Sequence, residues 1–529
     1  MNHEWRGPAV SRRTVLGSLV SLPAALAALD AFPFGRTAWA AQTAPGAAAK
    51  KGGKLIAALP VDIVNFDPYL GAYTHMYMLQ RALYNTLTHY NDKMEPQPEL
   101  ATEWKFSSDG LALTMQLRKG VKFHSSREFS AEDVIFSLAA MQDAKYGALQ
   151  RSLVLPLKAE AKDKSTVVFS TEKPYAAVFD ALDAIFILDK ETAAPRFPQK
   201  AVGTGPFKQG QWVPGDFARF DRFDGYWGGP AHLDTLEVRP IPDPAAMAVN
   251  LESGAVDVAW RLNYQDYVRL RNTGKFQTLP GAEAGFFYDL TINTTTPAFK
   301  DKRVRQAINW AVDRKRFVEV VLRGVVEPTS IPYPRASVAY DAGLAKTYAA
   351  KDLARAKDLI AKAGFPNGFE GTLMTSQKRN PGMIELAQIL QADLKTIGVN
   401  LKIEDLEPPV YDKRFADGQF EIAVHTFGRA NKDPGVLFGG AIVWYTDPKR
   451  NPSRFQSDRY AKLVDDGAAT LDRAKRKAIY HEVTQMILDE CWCITIAEQP
   501  RVWGLAPHVK NFAYTLDNNP VWHAVWMDK

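Results

Sequence analysis

The chain has 529 residues, 46% of them hydrophobic and 23% charged, a balance that excludes a disordered or collagenous chain and leaves volume for two or three domains. A net charge of +6, scattered along the sequence, excludes nucleic acid as a partner; removing residues 1–40, with four arginines and two acids, would leave +4.

The first residues carry an export pattern. Ser11-Arg12-Arg13-Thr14-Val15-Leu16 places paired arginines before an apolar run from Val15 to Leu29, and Ala38-Trp39-Ala40 supplies a small-x-small cleavage site. The run is about 15 residues long and is interrupted by Pro23, short of the about 20 needed to cross a bilayer. These features predict a cleaved signal over 1–40 and a periplasmic product. Twin-arginine and Sec export both stay open, because Val15 stands where a twin-arginine signal usually has Phe. The only cysteines are Cys491 and Cys493, far from the cleavage site, so no lipid anchor is expected.

Residues 41–53 read as a flexible lead-in. Lys54 to Leu59 reads as a strand, Asn65-Phe66-Asp67-Pro68-Tyr69 as a loop, and His75 to Leu87 as a helix. Trp104 and Phe106, the turn formers Ser107 to Gly110, and the alternating Leu111, Leu113, Met115 and Leu117 predict a hairpin. Val121 and Phe123 start a further short strand, and Ser130 with Asp133 forms a capping box for the helix that follows. Ser165 to Ser170 reads as a strand and Pro174 as the opening of a helix. The glycines of Val202-Gly203-Thr204-Gly205-Pro206 are not followed by the Lys-Ser/Thr of a phosphate cradle; they suit a tight crossing of the chain instead.

Downstream, amphipathic helices are predicted from Lys302, over Asp352 to Ala363 and over Met383 to Ile397. The last ends at Gly398 and leads into a strand, Val399 to Ile403, and this helix-glycine-strand order predicts an α/β lobe with a largely parallel sheet. Ala423 to Phe427 reads as another strand, and the basic run Arg473 to Lys477 as a solvent-facing helix segment. Cys491 and Cys493 suit two buried thiols on a core strand, with a vicinal-type disulfide or a soft metal pair as alternatives.

Several of these stretches together resemble one family. LATEWKFSSDG, LRKGVKFH and FSAEDV, between Leu100 and Val134, are similar to the signature of the peptide/nickel/oligopeptide-type (family 5) extracellular solute-binding proteins of ABC importers. So are Gly203-Thr204-Gly205-Pro206, Trp212-Val213-Pro214-Gly215, Tyr226-Trp227-Gly228-Gly229 and the run Arg303 to Arg314. Ser125-Ser126 departs from the family's Asp-Gly. The resemblance implies an α/β, two-lobed, periplasmic binding protein type II-like fold with an additional inserted domain (cluster C type). Lobe I would take 54–87, 202–298 and 500–529, the inserted domain 88–201, and lobe II 299–499. It further implies a monomer without cofactor or catalysis, which binds a small molecule between lobes hinged near Phe287 to Asn293 and Glu498 to Trp503. The ligand would be a peptide or a peptide-like or anionic small molecule, handed to an inner-membrane ABC permease complex.

The ligand residues implied by the resemblance are Asn65 and Tyr69 on the first-lobe loop, Phe287, and the loop after Phe427. Aligned on Asp433-Pro434, Phe427 takes the place of the family's aromatic residue and Ala430 that of the aspartate with which peptide binders hold an α-ammonium. Alanine cannot hold a desolvated cation. Either Asp433 or Glu498 substitutes, or Arg429 and His425 receive an anionic group, against the alternatives that Arg429 is a surface residue pairing with Asp433 and that His425 is a satisfied core histidine. Phe427, Trp444 and Tyr445 are candidates for stacking, against the alternative that they are core. A metal-chelate binder and a ligand sensor on the same fold are rival readings, but the nine histidines show no ligand spacing. An exported hydrolase is a third rival, without a G-x-S-x-G or H-E-x-x-H motif to carry it.

Overall fold

The computed structural model describes residues 49–70, 74–193, 200–281, 285–516 and 519–529, so the signal pattern and most of the lead-in lie outside the described residues. Strand Lys54–Leu59 forms where Leu55 and Ala57 to Leu59 can all be buried. It occupies the centre of a seven-stranded sheet. In spatial order the strands are Gln277–Leu279, Trp503–Leu505, Val258–Trp260, Lys54–Leu59, Thr235–Pro240, Phe217–Arg222 and Phe207–Val213. Lys54–Leu59 runs parallel to both neighbours, while the flanking pairs are antiparallel. Helix Pro244–Glu252, capped by the Asp243 side chain, carries the chain between two of these strands.

A second sheet has the order Val399–Asp405, Phe369–Thr375, Ile422–Phe427, Phe287–Ile292, Cys493–Glu498. Helix Met383–Lys395 crosses between the parallel strands Phe369–Thr375 and Val399–Asp405, as the alternation of elements predicts. Phe287–Ile292 is buried at every position, the pattern of a strand covered on both faces. Its neighbours on either side are antiparallel. Residues 287–292, counted with lobe I from sequence and read as a hinge, are therefore a central strand of the second sheet. Among the described residues, the links between the two sheets are 280–281 with 285–286, leading in, and Glu498 to Trp503, leading out.

The stretch between Tyr90 and the return to the first sheet folds around a four-stranded antiparallel sheet, Ala101–Phe106, Ala112–Leu117, Thr166–Ser170, Lys158–Asp163. Helix Ala131–Gln142 starts at the expected Ser130/Asp133 capping box. The chain then crosses Leu83 so closely that a Cβ on Gly203 would lie 2.1 Å from the Leu83 carbonyl oxygen, and one on Gly205 would lie 2.5 Å from that of Ala82. Only glycine fits there.

Some expectations shift. The first helix ends at Leu83, because Thr88–Tyr90 pairs with Pro96–Pro98 as a small ribbon. The strand expected at Val121 and Phe123 is reduced to one bridge, Lys122 to Glu128. After Pro174 the helix begins only at Val178. In the basic run of helix Arg473–Glu490, Arg476 is buried and ion-paired to Asp433 instead of facing solvent. Cys491 and Cys493 are free and buried; the first ends that helix at φ +51 and the second opens the core strand Cys493–Glu498.

Candidate functional site

The linking segments lie side by side. The Gln499 N–H donates to the Phe286 carbonyl at 2.8 Å, the Arg501 N–H to that of Gly281 at 3.1 Å, and the Arg261 N–H to that of Val502 at 2.9 Å. The Arg501 guanidinium stacks 3.6 Å from the centroid of Phe286. Between the sheets, the Tyr264 hydroxyl lies 3.3 Å from that of Tyr288. Tyr288 donates its proton to the Pro381 carbonyl at 2.6 Å, so toward Tyr264 and the Gln499 amide it is the acceptor.

The loop after strand Ile422–Phe427 reaches across to the other lobe. The Ala430 N–H donates to the Gly285 carbonyl at 3.1 Å, and the Asn431 amide to that of Leu516 at 3.1 Å. Gly285, at φ +72, allows this approach, since a Cβ there would lie 2.3 Å from the Asn431 nitrogen. Beyond it, Lys432 Nζ contacts Asp183 Oδ2 at 3.0 Å, and the Asp433 N–H donates to Asp180 Oδ1 at 3.1 Å. Asp183 also pairs with Arg81, which binds Glu99 at 3.1 Å. Burial works against ionisation of Asp183, but Lys432 and Arg81 outweigh it and hold its carboxyl down to about 2. At Asp180 burial together with Asp433 outweighs the opposing pull of Lys432 and raises its carboxyl.

Beside the second sheet lies a cavity of about 280 Å³ lined by Arg379, Asp412, Phe415, His425, Thr426, Phe427, Gly428, Ala441 and Ile442. Arg379 donates to Asp412 at 2.7 Å across its rim. His425 stacks on Phe415 with ring centroids 3.9 Å apart. The Tyr411 hydroxyl spends its single proton on the Val424 carbonyl at 2.6 Å, so at 3.3 Å from His425 it accepts from Nδ1–H. His425 Nε2 is then left as an acceptor. Burial, with Arg379 adding to it, pushes the imidazole well below its ordinary value, and it is neutral.

A family model for bacterial extracellular solute-binding proteins, family 5, matches residues 95–441. The chain belongs to this family. It is the solute-binding component of an ABC importer, a two-lobed protein that closes around a small ligand. Heme-binding protein A of Haemophilus influenzae is 26% identical over 478 residues, 84% of this chain and 87% of that protein. The dipeptide-binding protein of Escherichia coli K12 is 28% identical over 466 residues, 81% of this chain and 86% of that one. Among solved structures, the periplasmic binding protein DppA of Helicobacter pylori in complex with the peptide STSA superposes with a TM-score of 0.74 at 28% identity, covering 91% of this chain and 99% of that chain.

In this family 5 binding protein the residues singled out from sequence divide into three groups. Asn65 closes a local turn, its side-chain oxygen accepting from the Asp67 N–H at 3.0 Å, and Tyr69 is buried with its hydroxyl donating to the Phe186 carbonyl at 2.6 Å. Both are occupied by the fold. Phe287 stacks on Phe427, with centroids 5.5 Å apart and planes 12° apart, and Phe427 meets Trp444 edge-on at 5.4 Å. Trp444 is wholly buried and serves the core; Phe427 serves the core and the cavity wall.

The third group clusters at the linking segments. Glu498 faces Phe287 in the ladder, and Ala430 is buried beside Gly285. Asp433 is spoken for by Arg476 and by the N-terminus of helix Pro434–Gly440, so it neither pairs with Arg429 nor replaces the aspartate absent at 430. His425, neutral, cannot balance an anion. Arg429 sits at φ +71 with its side chain against Gly440, half-buried, and makes no ion pair or hydrogen bond through its guanidinium among the described residues. Arg261, Arg379, Asp180, Asp183 and Lys432 were not foreseen. A lysine between a buried strand and a helix N-terminus was the one usable signal.

Proposed function

We propose that this solute-binding protein carries a carboxylate-bearing small molecule, peptide-like or otherwise anionic, and recognises its acid group instead of an amino terminus. The observation that carries this reading is the loop after Phe427. It presents a half-buried Arg429, unpaired among the described residues, next to a buried alanine, where the resemblance places an ammonium-binding aspartate. A partly desolvated cation gains from a charge-assisted, bidentate hydrogen bond. The ligands named for its relatives, heme, dipeptides and glutathione, all bear carboxylates, which supports a shared acid-binding mode. The ligand touches both lobes and favours the closed state by that difference in affinity. The protein works as an exported, unlipidated periplasmic monomer once residues 1–40 are removed.

Titration calorimetry with Met-Leu and glutathione, each free, N-acetylated and carboxyl-amidated, tests the reading, alongside native mass spectrometry of the purified protein. N-acetylation is expected to leave affinity within about threefold, whereas amidation should weaken it by about 2 kcal/mol, roughly thirtyfold. Loss of binding on N-acetylation, or release of a cargo without an acid group, would refute it.

A further inference from the structure

Strand Val258–Trp260 ends at the side of the first sheet where the links to the second lobe cross, and the next residue, Arg261, stands at φ +62. In open α/β sheets this side, beyond the carboxyl ends of the parallel strands, is where ligands are received. A left-handed backbone is costly for a long side chain and persists where the surroundings hold it in place. Arg454, at φ +58, shows what a structural reason looks like: its guanidinium donates to the carbonyls of Pro448, Lys449 and Asp417. The buried Arg314 likewise donates to the carbonyls of Thr495 and Asn309, and Arg305 to Glu490, Phe299 and Lys300.

Arg261 has none of this. Half-buried, it lies 5.7 Å from the Trp260 centroid and has no hydrogen bond or ion pair from its guanidinium among the described residues. Burial lowers its pKa, with the Tyr264 and Tyr288 hydroxyls acting the other way, so the charge sits close to the pair of phenols that bridges the sheets. A second guanidinium, Arg501, lies 6.0 Å from the same Trp260 ring and adds positive potential.

We propose that Arg261 is an anion anchor on the first lobe, which receives a carboxylate of the bound ligand. This rests on the acid-recognition reading and extends it: with Arg429 on the second lobe, each lobe contributes one cation that no carboxylate among the described residues neutralises. A ligand with two acid groups, one for each lobe, satisfies both and is the class the protein selects. Its closure would then be driven by the ligand's charges.

The test uses Arg261→Gln and Arg261→Gly in the full mature chain, with glutathione (two carboxylates) and Met-Leu (one) as probes. Two readouts are taken: ligand-free melting temperature and dissociation constant. Removing a shielded, unpaired charge is expected to leave the ligand-free melting temperature unchanged or raised, most in the glycine variant, whose backbone accepts the positive φ. Affinity for glutathione should fall at least thirtyfold in Arg261→Gln, and wild type should prefer glutathione to its monoamidated form. A lowered ligand-free melting temperature in both variants makes Arg261 structural and overturns the proposal, whichever probe binds. If amidation weakens wild-type binding while Arg261→Gln binds as wild type does, the anchor is wrong but acid recognition stands. If amidation has no effect on wild type, the acid-recognition reading itself fails.

Discussion

The two ends of the contact between the lobes solve the same electrostatic problem in opposite ways. At the inserted domain, Arg81, Glu99, Asp183 and Lys432 form a closed network in which each charge meets an opposite one inside the protein. At the linking segments, Arg261 and Arg429 are half-buried and meet no carboxylate among the described residues. The first arrangement is complete within the protein. The second is incomplete until something anionic arrives, and that is the property a carrier needs if binding is to change its shape.

Breaking the completed end should have the largest effect. Asp183→Ala removes the buried carboxylate shared by Arg81 and Lys432 and breaks both ion pairs, at an expected cost of about 3–5 kcal/mol, read as a lower denaturant midpoint. Because the folded-state pKa of Asp183 is depressed to about 2, its contribution is present above the unfolded value near 4 and is lost as pH falls through about 2. The variant should therefore match wild type only in strong acid.

Asp289 offers the converse case, a carboxylate shielded without a cation. It is fully buried in the central strand, its Oδ2 accepts from Thr291 at 2.7 Å, and its Oδ1 has no partner; burial pushes its carboxyl up to about 7. A raised pKa means stability that is fully present below about 4 and is lost as pH rises through 7. Asp289→Asn should melt like wild type at pH 4 and above it at pH 8, by roughly a few kcal/mol. A gap that ignores pH would count against this assignment.

At the incomplete end, Arg429→Gln should leave the ligand-free protein within about 0.5 kcal/mol of wild type while costing about 2 kcal/mol in binding of an acid ligand. Calorimetry on the same panel checks it. Smallest of all, Tyr264→Phe removes the hydroxyl that donates to Tyr288 and should lower ligand-free stability by about 1 kcal/mol, measured as a lower denaturant midpoint.

Most of the fold was legible because its elements announce themselves locally. The capping box at Ser130, the alternation from Leu111 to Leu117 and the glycine stop at Gly398 each need only neighbours in sequence. What sequence misjudged depends on distant partners. Phe287 to Ile292 was assigned to the wrong lobe because a run buried on both faces does not say which sheet buries it. Arg476 was taken for a surface residue because its partner, Asp433, lies 43 positions away. In the site, Ala430 and Arg429 could be found by aligning on Asp433-Pro434. His425 stood open between an anion partner and a core histidine, because the burial that keeps it neutral, with Phe415 and Tyr411 against it, comes from residues distant in sequence. Arg261 carried no signal at all: an arginine after an apolar strand is ordinary until its backbone angle and its missing partner are seen.

The position of Trp503–Leu505 in the first sheet fixes an order of assembly. This strand lies between Val258–Trp260 and Gln277–Leu279, bonded to both, so two segments made earlier wait for one made long after them. A nascent chain that has emerged as far as residue 490 holds every strand of the inserted domain's four-stranded sheet and all but one of the second lobe's five. Its first lobe still has a slot with the unpaired backbone of Val258–Trp260 on one side. Of the two sheets, the one begun first is the last one finished.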